Sequence, residues 1–189
     1  MGATPEGRDL AQRIRLVAFD VDGVLTDGGV YLGDVQGQRL EFKRYHIQDG
    51  LGMKLLQRAG IKVAIITGRV SESVALRAAE LGVDAVVQDV HARKLPALQR
   101  IAGEHGIALA DVAFVGDDLP DVGPMRVVGL PVVVANASAD GLEAARFVLQ
   151  RNGGDGAVRE FCEALLRARG VWDVLAGGWV ESRAREVPA

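Results

Sequence analysis

The segment 15–27, RLVAFDVDGVLTD, constrains this chain more than any other, because a short apolar run ends there in two acidic residues. The run from Leu16 to Phe19 predicts a buried β-strand, and Asp20 and Asp22 follow at its end. Residues i and i+2 of an extended segment point to the same side, so we expect the two carboxylates to lie close together, where like charges repel. An acidic turn after a strand explains the pair when it is taken alone. Three further segments, described below, favour a reactive site.

Length and composition predict one α/β domain. The chain has 189 residues, 49% of them apolar, and its 24 glycines suit many tight turns between strands and helices. The net charge of −3 gives no basic surface for nucleic acid or an anionic membrane. No apolar run approaches the ~20 residues that a membrane span needs. We therefore expect neither nucleic acid nor a membrane as a partner.

Cysteine and histidine usage excludes two further classes. Cys162 is the one cysteine, which excludes an internal disulfide, and the three histidines lack the spacing of a zinc site.

Residues 1–13 are polar and have no signal-peptide core, so we expect a loose lead-in and a cytoplasmic location.

Apolar strands alternate with helices along the chain. The predicted strands are 15–20, 61–67, 84–87, 112–116, 130–134 and 147–149. The predicted helices are 71–81, 92–105, a short one opened by Pro120, 141–145 and 155–169. This alternation is typical of a doubly wound, Rossmann-like parallel sheet, whose site lies beyond the carboxyl ends of the strands. We expect a lead-in at 1–13, a single domain at 14–170 and a tail at 171–189.

The interval after the first strand departs from this alternation. Segments 30–32 and 40–42 flank the turn-rich residues 33–37, which predicts a β-hairpin flap. A helix follows, with Asp49 as its expected N-cap and Gly60 as its expected C-cap.

Polar residues follow the ends of the predicted strands. The strand 61–67 ends in Thr67, and Gly68 and Arg69 follow it. The strand 112–116 leads into an acidic segment. The remaining candidates at this edge are Lys94, Asp117, Asp118 and Asp121. If the sheet is parallel, all of these residues share one edge with Asp20 and Asp22.

This set of residues indicates a hard cation and a phosphate. Clustered carboxylates with open positions suit Mg²⁺, with Asp117 the better ligand because it sits at a strand end. Asp118 and Asp121 are equally typical of helix capping. Lys94 falls in the first turn of a predicted helix, where the helix dipole disfavours a cation. A phosphate held between Lys94 and the metal explains a lysine at this position better than solvation at the surface does.

Together these residues predict phosphoryl transfer through an aspartyl-phosphate. Asp20 would attack phosphorus, and Asp22 would act as general acid and then general base. Lys94, Thr67 and backbone amides near Gly23 and Gly68 would stabilise the phosphoryl oxygens.

With these residues, the chain resembles the haloacid dehalogenase-like superfamily of phosphatases. Its four motifs appear in order within residues 15–169, as DVDGV at Asp20, TG at Thr67, Lys94, and GDD at Asp117 followed by Asp121. Within it, the chain resembles the 3-deoxy-D-manno-octulosonate 8-phosphate phosphatases, on the segments 19–28, 48–52, 65–69, 115–119 and 156–160.

The narrower resemblance implies a Mg²⁺-dependent, homotetrameric phosphatase of a phosphorylated sugar acid, acting in lipopolysaccharide biosynthesis. It implies metal ligation by Asp20, by Asp22 through its carbonyl, and by Asp117. It implies substrate contacts from His46, Gln48, Asp49, Gly50, Lys54, Arg69, Arg77 and Lys94. The family often has arginine where this chain has Gln48 and Lys54, so a nonulosonate 9-phosphate or another sugar-acid phosphate stays open as the substrate.

The spacing of the motifs leaves no room for a cap domain. Only a hairpin and a helix fit between Asp22 and Thr67, and only one helix and one strand fit between Thr67 and Lys94. An open site weakens electrostatic catalysis, so we expect neighbouring subunits to close it. The hairpin offers apolar residues for assembly. The tail, with Gly177, Gly178 and Trp179, either reaches a neighbour's site or, slightly favoured, is disordered.

Three other functions compete with hydrolysis. A non-catalytic phosphate-binding subunit would have no need of both Asp20 and Asp22. A receiver-type signalling domain carries its phosphorylated aspartate on a middle strand, a place that Thr67 occupies here. A phosphomutase usually needs a cap to retain its intermediate.

Overall fold

The computed structural model describes residues 5–184, which form eight strands and eight α-helices. The strands are β1 Leu16–Phe19, β2 Tyr31–Val35, β3 Gln38–Phe42, β4 Lys62–Thr67, β5 Ala85–Gln88, β6 Val112–Gly116, β7 Leu130–Val133 and β8 Phe147–Val148. The helices are α1 Pro5–Arg13, α2 Ile47–Arg58, α3 Glu72–Leu81, α4 Lys94–Glu104, α5 Leu119–Met125, α6 Ala139–Ala144, α7 Ala157–Ala168 and α8 Trp172–Ala184.

The central sheet confirms the predicted doubly wound fold. Its strand order is β5-β4-β1-β6-β7-β8, and every pairing within it is parallel. Strand β1 lies in the middle, with Phe19 opposite Ile65 of β4 and Val115 of β6. The expectation that the middle strand ends in Thr67 is therefore wrong, because the middle strand β1 leads into Asp20. The carboxyl ends of β1, β4 and β6 therefore meet at one edge, which is where the polar motifs follow.

Both faces of the sheet are covered. Val17 and Phe19 of β1 belong to the apolar core that contains α2 and α7, whereas Leu16 and Ala18 belong to the core on the α4 side. All four residues are buried, because successive strand residues point to opposite faces. Among residues 5–184, no helix is both long and apolar enough to cross a bilayer.

The β2–β3 hairpin forms a separate two-stranded antiparallel sheet, here called the flap. Its turn places Gln36 and Gly37 at φ values of 55° and 79°, as a tight hairpin turn requires. Between Asp22 and Thr67 the chain forms only the flap and α2, and between Thr67 and Lys94 only α3 and β5. The described chain thus has no cap domain, as its motif spacing predicts.

The predicted loose lead-in is wrong for residues 5–13, which form α1. Ala11 is fully buried and Leu10 packs against the core. The guanidinium of Arg169, after α7, donates to the carbonyls of Ala11 at 3.0 Å and Ile14 at 2.8 Å. These contacts join residues more than 150 positions apart, so the local sequence does not reveal them.

The favoured expectation of a disordered tail is also wrong for residues 172–184, which form α8. Trp172 is buried, and Trp179 packs partly buried against the same core beneath the guanidinium of Arg58, 4.4 Å from the ring centre. The helix continues through Gly177 and Gly178 because the two tryptophans hold it to this chain's own surface. Residues 185–189 lie outside the described part of the tail.

Helix ends match the prediction at α3 and differ at α2. Helix α3 ends at Leu81, as predicted, and Gly82 follows it in the left-handed conformation. The N-cap of α2 is His46 and its C-cap is Ala59, with Gly60 one position later at a φ of 77°. Asp49 is therefore not the N-cap. It lies buried in the first turn, where its Oδ1 accepts a 2.7 Å hydrogen bond from the backbone N–H of Arg159 in α7.

Candidate active site

A cavity of about 250 Å³ opens where the loops after β1, β4 and β6 meet the start of α4. The motif residues Asp20, Asp22, Thr67, Gly68, Arg69, Lys94, Asp117, Asp118 and Asp121 line it, together with Ala92 and Pro120. The structure thus brings together all four of the motifs that the sequence places at this edge.

Lys94 occupies the centre of the cluster. Its ammonium lies 2.8 Å from Oδ1 of Asp20 and 2.6 Å from Oδ1 of Asp121, and its side chain is 4% exposed. Lys94 lies in the first turn of α4, as predicted, although the helix begins at Lys94 and not at residue 92. The preceding turn places Ala92 at a φ of 50°, and this left-handed residue turns the chain so that the Lys94 side chain enters the cavity. The long stem is buried and the charged end meets the carboxylates.

Three carboxylates share this one ammonium. Asp20, Asp117 and Asp121 each offer an oxygen within 4.8 Å of the others. Burial, then repulsion from Asp121, raises the pKa of Asp20 to about 7 despite Lys94. Burial and the charges of Asp20 and Asp121 raise the pKa of Asp117 to about 8. The site therefore holds more negative charge than it can neutralise, and its all-oxygen donor set fits a hard divalent cation.

Asp121 connects the acidic cluster to the start of α5. Its Oδ2 accepts the backbone N–H of Asp117 at 3.0 Å and that of Asp118, the N-cap, at 3.3 Å. The sequence left helix capping and a role in the site equally open for Asp118 and Asp121. In the structure Asp121 combines both, because its other oxygen contacts Lys94.

Gly23 makes the close approach of Asp117 possible. Its φ is 92°, and a Cβ at this position would overlap Oδ2 of Asp117. The glycine therefore leaves the space in which the Asp117 carboxylate lies beside the loop that carries Asp20 and Asp22.

Asp22 lies in a second charge cluster that the sequence analysis missed. Its Oδ1 contacts the ammonium of Lys43, which also lies 3.2 Å from Oε1 of Glu41. Arg69 completes the cluster, 2.6 Å from Oε2 of Glu41 and 3.9 Å from Oδ2 of Asp22. Burial lowers the pKa of Lys43, but Asp22 and Glu41 more than offset this and raise it above its usual value. The two motif aspartates thus face different lysines.

Thr67 ends β4 with its side chain buried at the cavity. Its hydroxyl oxygen accepts the backbone N–H of Arg69 at 3.2 Å. The hydroxyl proton is therefore not committed to that bond and is available to an oxygen in the cavity.

Comparisons with known proteins agree with this geometry. Residues 87–161 match the sequence profile of the haloacid dehalogenase-like hydrolase family. The chain is 42% identical to the 3-deoxy-D-manno-octulosonate 8-phosphate phosphatase KdsC of Escherichia coli (strain K12) over 167 residues, 88% of this chain and 87% of that protein. It is 41% identical to KdsC of Salmonella typhimurium over 174 residues, 92% of this chain and 90% of that protein. The chain belongs to the 3-deoxy-D-manno-octulosonate 8-phosphate phosphatase family.

Solved structures of this phosphatase family have the same fold. The Moraxella catarrhalis phosphatase, in complex with a magnesium ion, a phosphate ion and a KDO molecule, matches with a TM-score of 0.85 and 38% identity over 92% of this chain and 98% of that chain. The Yersinia pestis phosphatase matches with a TM-score of 0.83 and 38% identity over 89% of each chain. Membership of a phosphatase family favours the hydrolase over the receiver, mutase and non-catalytic alternatives.

The substrate contacts implied by the family resemblance are only partly brought to the cavity. Arg69 lines it, but His46, Gln48, Asp49, Gly50, Lys54 and Arg77 are not among its lining residues. Gln48 lines a separate cavity of about 590 Å³ beside α7, and Lys54 lies near Trp179. Asp49 is 1% exposed, and burial raises its pKa to about 6. Within one chain, these six residues do not line the cavity that holds the phosphoryl-transfer residues.

Proposed function

We propose that this protein hydrolyses 3-deoxy-D-manno-octulosonate 8-phosphate to 3-deoxy-D-manno-octulosonate and phosphate, with Mg²⁺ as cofactor. The observation that carries the proposal is the enclosed contact of Lys94 with Asp20, beside Asp117, in a chain of this phosphatase family. That arrangement provides a nucleophile, a fixed positive charge and a cation site within one small cavity.

Asp20 is the proposed nucleophile and Asp22 the proposed acid and base. A carboxylate oxygen of Asp20 bonds to phosphorus while the bond from phosphorus to the sugar oxygen breaks, and Asp22 gives that oxygen a proton. Asp22 then takes a proton from a water molecule whose oxygen bonds to phosphorus. The Asp20–phosphorus bond breaks and phosphate leaves.

Lys94, Thr67 and backbone amides would bind the phosphoryl oxygens. Lys94 places a full positive charge in an enclosed site, where a charge interaction is stronger than in water. The Thr67 hydroxyl and the N–H groups near Gly23 and Gly68 would donate hydrogen bonds as charge develops on those oxygens. Asp121 would hold Lys94 in place by its 2.6 Å contact.

Asp20, Asp117 and the carbonyl of Asp22 would hold the Mg²⁺. The donor set is all oxygen, and the raised pKa values of Asp20 and Asp117 indicate negative charge that a divalent cation would neutralise. When bound, Mg²⁺ supplies positive charge to the phosphoryl oxygens and keeps these carboxylates ionised.

Recognition of the sugar acid is assigned to the residues around the cavity mouth. Of the predicted substrate contacts outside the four motifs, Arg69 alone lines the cavity. Its guanidinium suits the carboxylate of a sugar acid. A nonulosonate 9-phosphate is the alternative substrate, since Gln48 and Lys54 replace arginines that the family often has. The reaction would serve lipopolysaccharide biosynthesis in the cytoplasm, where the free buried thiol of Cys162 would stay reduced.

We also propose a homotetramer in which neighbouring subunits close the site. The flap exposes four large apolar side chains, those of Tyr31, Leu32, Val35 and Phe42, and the adjacent Val30 is exposed as well. A patch of this kind is typical of an interface. Size-exclusion chromatography with light scattering tests this: we expect a tetramer that Leu32→Asp dissociates with loss of activity, whereas a fully active monomer would overturn the shared site.

Phosphate release from purified esters tests the main proposal. With Mg²⁺ we expect kcat/KM at least about tenfold higher for 3-deoxy-D-manno-octulosonate 8-phosphate than for a nonulosonate 9-phosphate, since a matched site discriminates by more than ~1.4 kcal/mol. Chelation of the metal or Asp20→Asn should abolish release. A preference for the nine-carbon ester would favour the alternative substrate, and no metal-dependent release would overturn the enzyme assignment.

A further inference from the structure

Lys43 is a buried cation that no part of the proposed mechanism uses. Its side chain is 1% exposed, although lysine is rarely buried without a specific partner. It follows β3 of the flap directly and contacts Oδ1 of Asp22. It is not among the residues that line the cavity of Asp20 and Lys94, although its partner Asp22 is.

The cluster around Lys43 is balanced in charge. Asp22 and Glu41 supply two negative charges, and Lys43 and Arg69 supply two positive charges. Glu41 contacts both cations, at 3.2 Å to Lys43 and 2.6 Å to Arg69. A buried lysine held by two carboxylates has few alternative positions, so its ammonium is fixed relative to Asp22.

The two oxygens of Asp22 differ in their surroundings. Oδ1 contacts Lys43, whereas Oδ2 is buried and has no hydrogen-bond partner within the described residues. The Nε of Arg69 lies 3.9 Å from Oδ2. A buried carboxylate oxygen without a donor costs free energy, and a hydroxyl or water that enters the site would satisfy it.

We propose that Lys43 is a positioning residue for the general acid, holding Oδ1 of Asp22 so that Oδ2 exchanges protons with the leaving oxygen and then with water. The proposal rests on the proposed function in that Asp22 serves as acid and base. The proton on Oδ2 passes to the leaving oxygen as its bond to phosphorus breaks. In the second step the attacking water returns a proton to Oδ2. Because Lys43 directly follows the last strand of the flap, the acid is in place only when this end of the flap lies against the loop after β1.

Two synthetic esters separate positioning of the acid from other roles of Lys43. p-Nitrophenolate leaves without a proton, whereas phenolate, a stronger base, needs one. Rapid-quench measurement of nitrophenol and phenol release, with Mg²⁺, reports the first chemical step for each ester. Lys43→Met keeps the length of the side chain and removes its charge. Lys62→Met is the matched control, because Lys62 pairs with Asp84 at 2.7 Å outside the site.

For Lys43→Met we expect release from phenyl phosphate to fall about 100-fold, within the range that a positioned general acid provides, and release from p-nitrophenyl phosphate to fall less than about threefold. The KM values should stay within about threefold. Lys62→Met should leave both esters unchanged. Glu41→Gln removes one partner of Lys43 without emptying the buried position, and it should reproduce the selective loss at about a tenth of its size.

Equal losses for the two esters would overturn the proposal, because they would show general damage to the site. A raised KM with an unchanged rate would overturn it as well, since Lys43 would then bind substrate. Neither result depends on the natural sugar. If the unaltered protein cleaves the aryl esters but not 3-deoxy-D-manno-octulosonate 8-phosphate, only the proposed substrate fails.

Discussion

The ammonium of Lys94, at the start of α4, lies 2.8 Å from the carboxylate of Asp20, at the end of β1. Both side chains are almost fully buried, so little water screens the contact. Asp117 and Asp121 lie in the same cluster, which leaves one ammonium among three carboxylates. This imbalance makes the stability of the site depend on Lys94, on pH and on a bound cation.

Loss of Lys94 should destabilise the protein far more than loss of an exposed lysine. Lys94→Met leaves buried carboxylates without their cation, which costs about 3–5 kcal/mol, whereas Lys62→Met breaks an exposed pair worth less than about 1 kcal/mol. Urea unfolding at pH 8 without metal measures both. The loss for Lys94→Met should shrink at pH 5, where Asp20 and Asp117 are protonated. Equal losses for the two variants would contradict this account.

Metal stabilisation should grow with pH. The pKa values of about 7 for Asp20 and about 8 for Asp117 lie above their usual values, so the folded state binds more protons than the unfolded state between about pH 4 and pH 8. The metal-free protein therefore loses stability as pH rises through this window. Mg²⁺ binds the ionised carboxylates, so the difference in Tm between Mg²⁺ and chelator should increase by several degrees from pH 5 to pH 8. A constant difference would show that these carboxylates do not bind the ion.

Gly23 should be required for the site, and not only for the backbone. Gly23→Ala puts a Cβ into the space of Asp117, whereas Gly60→Ala has a similar positive φ of 77° with nothing within 4 Å. Each should lose about 1 kcal/mol of stability through backbone strain. Only Gly23→Ala should lose activity, by at least about 100-fold. Only this variant should also bind Mg²⁺ more weakly, as measured by calorimetry. Similar activities for the two variants would rule out the packing of Gly23 against Asp117 as the reason for the glycine.

Replacing the nucleophile should stabilise the metal-free protein. Because burial and Asp121 make the ionised form of Asp20 unfavourable, a neutral isostere relieves more repulsion than it loses in attraction to Lys94. Asp20→Asn should raise Tm by a few degrees at pH 8 in chelator while activity disappears. Asp173→Asn, at an exposed carboxylate, is the control and should change neither. A lower Tm for Asp20→Asn would mean that the contact with Lys94 outweighs the repulsion.

The sequence predicted the phosphoryl-transfer residues well because their positions follow from strand ends. Strand β6 begins and ends where predicted, at Val112 and Gly116, so Asp117 had to follow at the carboxyl edge. Lys94 was recognisable because a lysine in a first helical turn opposes the dipole. Periodicity and edge geometry are local properties, and they fix which motif residues share one edge of a parallel sheet.

Contacts between distant segments were not predictable in this way. Asp49 looked like a helix cap, but its carboxylate accepts the N–H of Arg159, 110 positions away. Arg169 donates to the carbonyls of Ala11, in the last turn of α1, and of Ile14, just after it, from more than 150 positions along the chain. Lys43 did carry a signal, since Glu41 and Lys43 are opposite charges two positions apart on one side of an extended segment. Only the fold shows that this side faces Asp22.

Chemical trapping at position 20 tests the central claim most directly. Sodium borohydride reduces an aspartyl-phosphate to homoserine, so protein quenched during turnover of 3-deoxy-D-manno-octulosonate 8-phosphate with Mg²⁺ can be digested and its peptides read by mass spectrometry. We predict homoserine at position 20, absent when the metal is chelated and absent in Asp20→Asn. Turnover without homoserine at position 20, or with homoserine at position 22 or 117 instead, would contradict Asp20 as the nucleophile.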